Sequence, residues 1–390
     1  MRIVDVCAFY APEGGGVRTY VDQKLATGPQ FGHEIVVIAP GDRDHIEERC
    51  DGGRIEWLAS PRLPVDRRYR YFSRRRALFD RLDSLRPDIV EASSPWRAAS
   101  IVAEWQGGAP RALVMHADPL AAYLYRWLEA VARPARVDRQ FGWFWRRLQR
   151  LASGFDAVIS ANSSLTRRLE EQGLGRLVTN PMGVSGQFFS PRLRDEGLRR
   201  RMLERCALPP EAALLLGVGR HAPEKRWPMI VEAVQAASFS HPVGLVLVGA
   251  GRDTGRILRK IDGNPHVHLL SPITDRMALA RLMASADALV HGCEAETFSL
   301  VVAEAAASGL PLIVPDRGGA ADQIAAHGDF TFEAGNPAAA ADAIAAYLVS
   351  GAHRPRRPVR TLSDHFRQLF DCYAALARGH RPLCRQEAAT

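Results

Sequence analysis

The segment from His291 to Ala305 reads His-Gly-Cys-Glu-Ala-Glu-Thr-Phe-Ser-Leu-Val-Val-Ala-Glu-Ala. A short apolar strand, Ala288–His291, leads into it, and a helix is expected to open near Phe298. Glu296 then sits in the loop before the helix, and Glu304 two turns along it, about 10 Å away. The helix N-terminus between them offers unpaired N–H groups and a positive dipole, both suited to a phosphate. A carboxylate flanked by Val301, Val302 and Ala305 is poorly placed for solvation and is expected to accept hydrogen bonds from a diol such as a ribose. The plainer readings are a capping or salt-bridging role for Glu304 and a simple helix N-terminal charge for Glu296.

Upstream, a strand Ala213–Gly217 runs into Gly-Val-Gly-Arg-His-Ala-Pro-Glu-Lys, ending at Lys225. Arg220 and Lys225 leave a strand-to-helix turn, where a planar guanidinium fork and a mobile ammonium could together hold a diphosphate. An exposed basic turn is the alternative. Near the N-terminus the loop Pro12-Glu13-Gly14-Gly15-Gly16-Val17-Arg18 precedes a helix. Consecutive glycines let backbone approach a phosphate closely, although the spacing is not the GxGxxG of dinucleotide sites.

These residues need a scaffold that brings strand ends together. Buried strands are expected at Ile3–Cys7, Glu34–Ala39, Ile89–Ala92, Leu113–His116 and Ala157–Ser160, with amphipathic segments such as Thr19–Ala26, Arg74–Leu85 and Ala98–Glu104 between them. Periodicity lapses over Asn180–Arg194, then resumes with strands at Leu214–Gly217, Leu245–Val248, Val267–Leu270, Ala288–His291 and Leu312–Val314. The expected fold is therefore α/β: two Rossmann-like doubly wound domains facing each other, with ligands at the strand C-termini. The domains are placed at 1–187 and 188–355, followed by a basic segment and last helix over 356–390 that packs back toward the first domain.

The chain has 390 residues, a net charge of +8 and a pI near 9.5, which favours anionic partners. Arg62, Arg67, Arg68, Arg70, Arg74, Arg75, Arg76 and Arg81 crowd one stretch with Tyr69, Tyr71 and Phe72; Phe141, Trp143, Phe144, Trp145, Arg146, Arg147 and Arg150 form another. They read either as two solvated amphipathic helices or as a surface resting on anionic lipid, with Arg74, Arg75, Arg76, Trp143 and Trp145 at headgroup level. No nucleic-acid motif accompanies the charge, so nucleic acid is not an expected partner. Six cysteines lack metal-ligand spacing and read as reduced thiols, mostly buried. No apolar run reaches the roughly 18 residues of a membrane span, and no signal peptide is visible, so the expected location is cytoplasmic, with peripheral attachment at the inner membrane face as the sharper reading.

The combination of Gly219-Arg220, Glu224-Lys225, Glu296-x7-Glu304 and Ala306-Ala307-Ser308-Gly309-Leu310-Pro311-Leu312-Ile313-Val314 resembles the GT4 group of retaining glycosyltransferases with the GT-B fold, over essentially the whole chain. Asn180-Pro181-Met182-Gly183-Val184 is similar to that group's junction turn, and Leu247-Val248-Gly249-Ala250-Gly251 to its turn near the nucleotide. The resemblance implies transfer of a hexose from a UDP- or GDP-linked sugar to a glycan or lipid acceptor. Arg220 and Lys225 would bind the donor diphosphate, Glu304 the ribose, and Glu296 would lie beside the transferred sugar. Phe298, Ser299 and Leu300 would meet sugar and phosphate through their backbone, Gly249 would lie near the nucleotide, Gly15 and Gly16 would approach the phosphates from the other domain, and His116 would stand near the donor sugar. It also implies front-face attack in which the donor phosphate takes the acceptor proton, without a metal or other cofactor; Asp42-Arg43-Asp44 reads as a surface loop. The sequence departs from the group's usual pattern at Thr297 and Ser299, both commonly glycine, at Met182 and Ser185, and at Asp322, where glutamate is usual. Two other readings are a non-transferring enzyme of the same fold, such as a UDP-sugar epimerase, and a non-catalytic nucleotide-sugar or lipid-binding module. An NAD(P) oxidoreductase is disfavoured by the missing fingerprint.

Overall fold

Runs of Val, Ile and Leu a few residues long, buried on both faces, specify parallel strands, because only a sheet covered by helices on both sides hides such runs completely. In the computed structural model, which describes residues 1–11, 16–50, 52–64, 66–116, 141–186, 188–324, 328–351 and 358–380, the chain folds as two units. The first comprises Met1–Pro181 with Ser363–Thr390, and the second Met182–Leu362. The first crossing thus lies at Pro181/Met182 where sequence placed it at 187/188, and the return lies at Leu362/Ser363 where sequence placed it at 355/356.

The first unit contains β1 (Arg2–Cys7), β2 (Glu34–Gly41), β3 (His45–Glu48), β4 (Arg54–Ala59), β5 (Arg62–Leu63), β6 (Asp66–Arg70), β7 (Ile89–Ser93), β8 (Arg111–Met115), β9 (Ala157–Ser160) and β10 (Leu177–Thr179). Eight of these form one sheet in the order β10-β9-β8-β7-β1-β2-β4-β3, parallel except for β3 against β4. Among its helices are α1 (Gly16–Thr27), α2 (Arg75–Leu85), α3 (Arg97–Glu104), α4 (Gly142–Ala152) and α5 (Ser163–Glu171). The sheet's core holds Val4, Val36, Val90, Leu113 and Val158 against Leu78, Leu82, Val102 and Leu148 from the helices.

The stretch Arg62–Arg81 is not one helix. β5 and β6 form an antiparallel hairpin, and only from Arg75 does a helix run. The reason is the hydrophobic period: Leu78, Leu82 and Leu85 repeat at helical spacing and are buried, whereas Arg62–Arg70 has no such stripe.

In the second unit, β11 (Ala213–Val218), β12 (Val243–Val248), β13 (Val267–Leu270), β14 (Ala288–Val290), β15 (Leu312–Pro315) and β16 (Phe330–Phe332) form an all-parallel sheet in the order β13-β12-β11-β14-β15-β16. That is the 3-2-1-4-5-6 order of a dinucleotide-type Rossmann sheet, whose ligand crevice opens where the order reverses, here between β11 and β14. In the first unit the corresponding reversal lies between β1 and β7. The helices are α6 (Glu196–Arg205), α7 (Trp227–Ala237), α8 (Thr254–Ile261), α9 (Arg276–Ser285), α10 (Leu300–Ala307) and α11 (Pro337–Ser350). Asp195, Asp275 and Asn336 cap α6, α9 and α11 by accepting backbone N–H bonds; α10 starts after Ser299 with no such cap.

The two ends of the second unit are stitched together: Val184 N–H donates to Arg360 O at 2.9 Å and Leu362 N–H to Val184 O at 3.1 Å. A final helix, α12 (Leu362–Ala377), belongs almost entirely to the first unit, where Phe366, Leu369, Phe370 and Tyr373 are buried and His365 Nδ1 lies 2.8 Å from Pro181 O. No helix among the described residues is long and apolar enough to cross a membrane.

Candidate functional site

At the second unit's reversal point, β11 ends at Val218 and the chain passes through a 3-10 turn, Pro223–Lys225, into α7. The turn lies tight against the loop after β12. A Cβ on Gly249 would stand 2.0 Å from Gly219 O, so only glycine lets the two loops meet there. Trp227, 1 % exposed, pins the turn by donating from Nε1 to Arg220 O at 3.0 Å. The Arg220 side chain remains 62 % exposed and pairs with Glu224 at 3.1 Å. Lys225 is buried and its ammonium is seated on Glu296 Oε1.

Glu296 is the centre of this cluster. Its Oε2 lies 3.0 Å from His291 Nε2, at the end of β14. Burial opposes ionisation of Glu296, but the Lys225 ammonium and His291 outweigh it and hold the carboxyl well below the usual range. Burial likewise opposes the charge on Lys225, and Glu296 more than restores it. His291 is pushed down by burial against the pull of Glu296, and is neutral at neutral pH. The Cys293 thiol is close by: ligand atoms of His291, Cys293 and Glu296 lie within 4.8 Å of one another. Burial, and then the Glu296 charge, push that thiol up to about 12.

The loop between Glu296 and α10 is held by Gly319, whose N–H donates to Glu296 O at 2.8 Å, and by Gln323, whose amide donates to the Phe298 and Gly319 carbonyls, the latter at 2.9 Å. A Cβ on Gly319 would come within 2.4 Å of the Thr297 carbonyl carbon, so this approach too demands glycine. Ser299 adopts φ 58°, ψ 79°, a left-handed conformation that favours glycine. The serine therefore keeps the backbone path of the glycine usual there, at a cost in strain. The helix opens at Leu300, not at Phe298.

Glu304 meets a different cation. Its Oε1 lies 3.1 Å from Arg276 Nη2, and the Arg276 guanidinium stands 5.5 Å over the rings of both Phe188 and Phe189. Burial raises the Glu304 carboxyl to about 7 against the opposing pull of Arg276, whose side chain is 37 % exposed and correspondingly screened. The two glutamates are thus tuned in opposite directions.

In the first unit, Gly16 opens α1, and a Cβ there would meet nothing within 4 Å, so internal packing does not require the glycine. Gly15 lies outside the described residues. His116 follows β8 immediately, its Nε2 3.1 Å from Ser93 Oγ and its ring edge-on to Tyr20 with centroids 4.9 Å apart. Burial lowers it to about 4 despite the attraction of Glu91.

Of the aromatic and basic clusters, Trp145 is 3 % exposed and packs in the core beneath the Arg168 guanidinium, so it cannot lie at a surface. Its partner Trp143 is 54 % exposed. The face of α4 that carries Trp143 also exposes Arg146, Arg147 and Arg150, at i, i+3, i+4 and i+7. Arg74 pairs with Asp44 and Arg75 with Glu104, leaving Arg76 exposed beside them. Asp42, Arg43 and Asp44 are exposed. A cavity of about 790 Å³ opens nearby, lined by Tyr10, His45, Trp57, Arg62, Arg67 and Arg70 among others, with His45 stacked on Trp57 at 5.8 Å.

Sequence reasoning gave no role to His291, Arg276, Gln323 or the interior charges Asp5, Lys24 and Glu91. Asp5 and Glu91 did carry a signal: each is a lone acid inside an apolar strand, and each proves to be 0 % exposed. Arg276 and Gln323 had none, because their partners lie on elements distant in sequence.

Two Rossmann-like units, one carrying a basic Arg–Lys turn and two oppositely tuned glutamates at its reversal point, define a glycosyltransferase of the GT-B fold class. Residues 14–186 match the family described as Glycosyltransferase Family 4, and residues 212–350 the one described as Glycosyl transferases group 1. The chain belongs to Glycosyltransferase Family 4 and is a nucleotide-sugar-dependent glycosyltransferase. It is 32 % identical, over 84 % of its length and 82 % of the relative's, to a GDP-mannose-dependent alpha-mannosyltransferase of Mycobacterium tuberculosis. It is 30 % identical, over 80 % and 79 %, to a GDP-mannose-dependent alpha-(1-6)-phosphatidylinositol dimannoside mannosyltransferase of the same species. Its fold is shared with sucrose-phosphate synthase from Thermosynechococcus elongatus, with a TM-score of 0.71 at 18 % identity and 97 % of each chain covered.

Proposed function

We propose that this protein is a retaining mannosyltransferase that uses GDP-mannose and transfers the sugar to a lipid or lipid-linked polyol at the cytoplasmic face of a membrane. The observation that carries the donor reading is the Lys225–Glu296–His291 cluster beside the Arg220 turn, together with the separate Arg276–Glu304 pair. Lys225, kept cationic and oriented by Glu296, and the exposed fork of Arg220 bind the diphosphate and stabilise the charge it gains as the glycosidic bond breaks. The uncapped N–H groups of Leu300 and its neighbours, following Phe298 and Ser299, add a second phosphate contact. Glu304 accepts from the ribose hydroxyls, and Glu296 borders the sugar. Gly249 keeps the loop after β12 close to the nucleotide, and at Gly16 a side chain would meet nothing within 4 Å, which leaves room for a phosphate in the first unit.

In the reaction the acceptor hydroxyl attacks the anomeric carbon on the face the leaving group departs. The bond from that carbon to the phosphate oxygen breaks, the acceptor proton passes to a phosphate oxygen, and the nucleoside diphosphate leaves. In this reading the positive charge the leaving diphosphate needs comes from Arg220 and Lys225 in place of a metal.

The names of the two mycobacterial relatives support GDP-mannose, and the second supports a phosphatidylinositol-type acceptor. The 790 Å³ cavity suits such an acceptor, with aromatic faces at Tyr10 and Trp57 for a polyol ring and Arg62, Arg67 and Arg70 for a phosphoryl group. The test is a thermal-shift panel of GDP-, UDP- and ADP-sugars with and without magnesium, followed by NMR of the product anomer. GDP-mannose alone shifting the melting temperature, metal-independently, and an α-linked product meet the expectation. Preference for another nucleotide, or an inverted anomer, refutes it.

A further inference from the structure

The first unit buries a chain of charges beneath His116. By register, Asp5 on β1 sits directly beside Glu91 on β7 at the point where the strand order reverses. Both side chains are 0 % exposed, as is Lys24 of α1, whose ammonium bridges them at 2.5 Å from Asp5 Oδ2 and 2.8 Å from Glu91 Oε2. One ammonium between two carboxylates leaves a net negative charge in the interior. Tyr373 of α12 donates to Glu91 Oε2 at 2.7 Å, and Ser93 donates to Asp5 Oδ1 at 2.9 Å. Such a cluster is a weak source of stability, since apolar side chains of the same volume commonly do as well or better. Its geometry has a different consequence.

We propose that this relay (Tyr373, Glu91, Lys24, Asp5 and Ser93) fixes the tautomer of His116, holding the ring proton on Nε2 and leaving Nδ1 as the accepting nitrogen. Ser93 has one hydroxyl proton, and the two carboxylates it faces, Asp5 at 2.9 Å and Glu91 at 3.4 Å, only accept above about pH 6, the value to which burial and the neighbouring Glu91 raise Asp5. That proton is therefore committed to a carboxylate. His116 Nε2, 3.1 Å from Ser93 Oγ, must then be the donor. With the imidazole neutral, as its burial dictates, the lone pair is on Nδ1. Tyr20 holds the ring plane from the side, and is itself packed against His365 and Phe366 of α12 at 5.6 and 5.7 Å. Ser93, Asp5, Lys24, Glu91 and Tyr373 are positioning residues: they act on a substrate hydroxyl only through His116. For its consequence the inference rests on the reading that His116 stands near the donor sugar, as the family resemblance implies; for the tautomer itself it does not.

The experiment is long-range proton–nitrogen NMR on the full chain with 15N-labelled histidine, the His116 signal being assigned by its loss in His116→Gln. The expected wild-type spectrum has a protonated Nε2 and a bare Nδ1. Ser93→Ala should collapse it to a mixture of tautomers, and Ser93→Thr should restore it. A wild-type proton on Nδ1 overturns the relay without any variant, and so does a Ser93→Ala spectrum unchanged from wild type. Kinetics separate the two readings. A fall in kcat of about tenfold in Ser93→Ala, with donor KM within about twofold and recovery in Ser93→Thr, ties the tautomer to transfer. A changed tautomer with unchanged kcat upholds the relay and removes His116 from the reaction.

Discussion

Protonation of Glu304 should control donor affinity near neutral pH. Burial raises this carboxyl to about 7, whereas an exposed glutamate ionises near 4.5. A ribose diol donates its hydroxyl protons, so the site needs the carboxylate as acceptor. About one molecule in eleven has Glu304 ionised at about pH 6, and about ten in eleven at about pH 8, which gives roughly a tenfold gain in affinity, or about 1.4 kcal/mol. The free protein should move the opposite way. A group whose folded value lies above its unfolded one contributes stability that is fully present below the unfolded value and is lost as pH rises through the folded one. Glu304 should therefore cost the ligand-free protein roughly 3 kcal/mol between about pH 4.5 and 7. The assay is calorimetric titration with an intact nucleotide sugar, whose pyrophosphate does not titrate in this range, as free nucleoside diphosphates do. His291 and His221 are both lowered by burial and do not supply the same limb. Glu304→Gln should bind about tenfold or more weakly at about pH 8 and show no pH dependence. A wild-type affinity flat across the range, or a Glu304→Gln protein with the same slope, would show that Glu304 does not hold the ribose.

Three further sets of variants test the same geometry. Lys225→Ala should lower kcat by about a hundredfold or more, since it removes the ammonium proposed to stabilise the leaving diphosphate; near wild-type turnover in initial-rate assays would refute the diphosphate assignment. It should also lower the melting temperature, because Glu296 is left with a buried charge and only neutral His291 beside it. Ser299→Gly should stabilise the protein by up to about 1 kcal/mol by relieving the left-handed serine, net of the entropy glycine adds to the unfolded chain; a lower denaturation midpoint would mean that the serine hydroxyl contributes more than its backbone costs. Replacing Arg146, Arg147 and Arg150 with alanine should reduce sedimentation with phosphatidylserine vesicles more than replacing Arg74, Arg75 and Arg76. Arg74 and Arg75 are already matched by Asp44 and Glu104, while each unmatched arginine at an anionic surface is worth about 1 kcal/mol. Equal losses, or none, would exclude α4 as the docking face.

The local sequence determined the repeating units of this fold. Short apolar runs can be satisfied only as covered parallel strands, so β1, β2, β7–β9 and β11–β15 were legible, and the leucine and phenylalanine period of Leu362–Ala377 marked α12. It also located the chemistry of the second unit, because Arg220, Lys225, Glu296 and Glu304 follow strands β11 and β14, and strand C-termini at a reversal are where such sheets bind ligands. Other features had no local period to read. The β5–β6 hairpin looked helical through its charges, and Trp145 looked like a surface anchor until its side chain proved to face the core. Which cation meets which glutamate was likewise undetermined, since Lys225 with Glu296 and Arg276 with Glu304 are pairs made across the fold. The same holds for the Asp5–Lys24–Glu91 cluster, whose members stand on three elements and are completed by Tyr373 from the far end of the chain. A residue's type and its neighbours in sequence fix whether it is buried in a strand or helix, because that depends on a period of two or of 3.6. The degree to which burial or a partner charge shifts its ionisation depends on atoms brought within a few ångströms by the whole chain, and only the tertiary structure decides that.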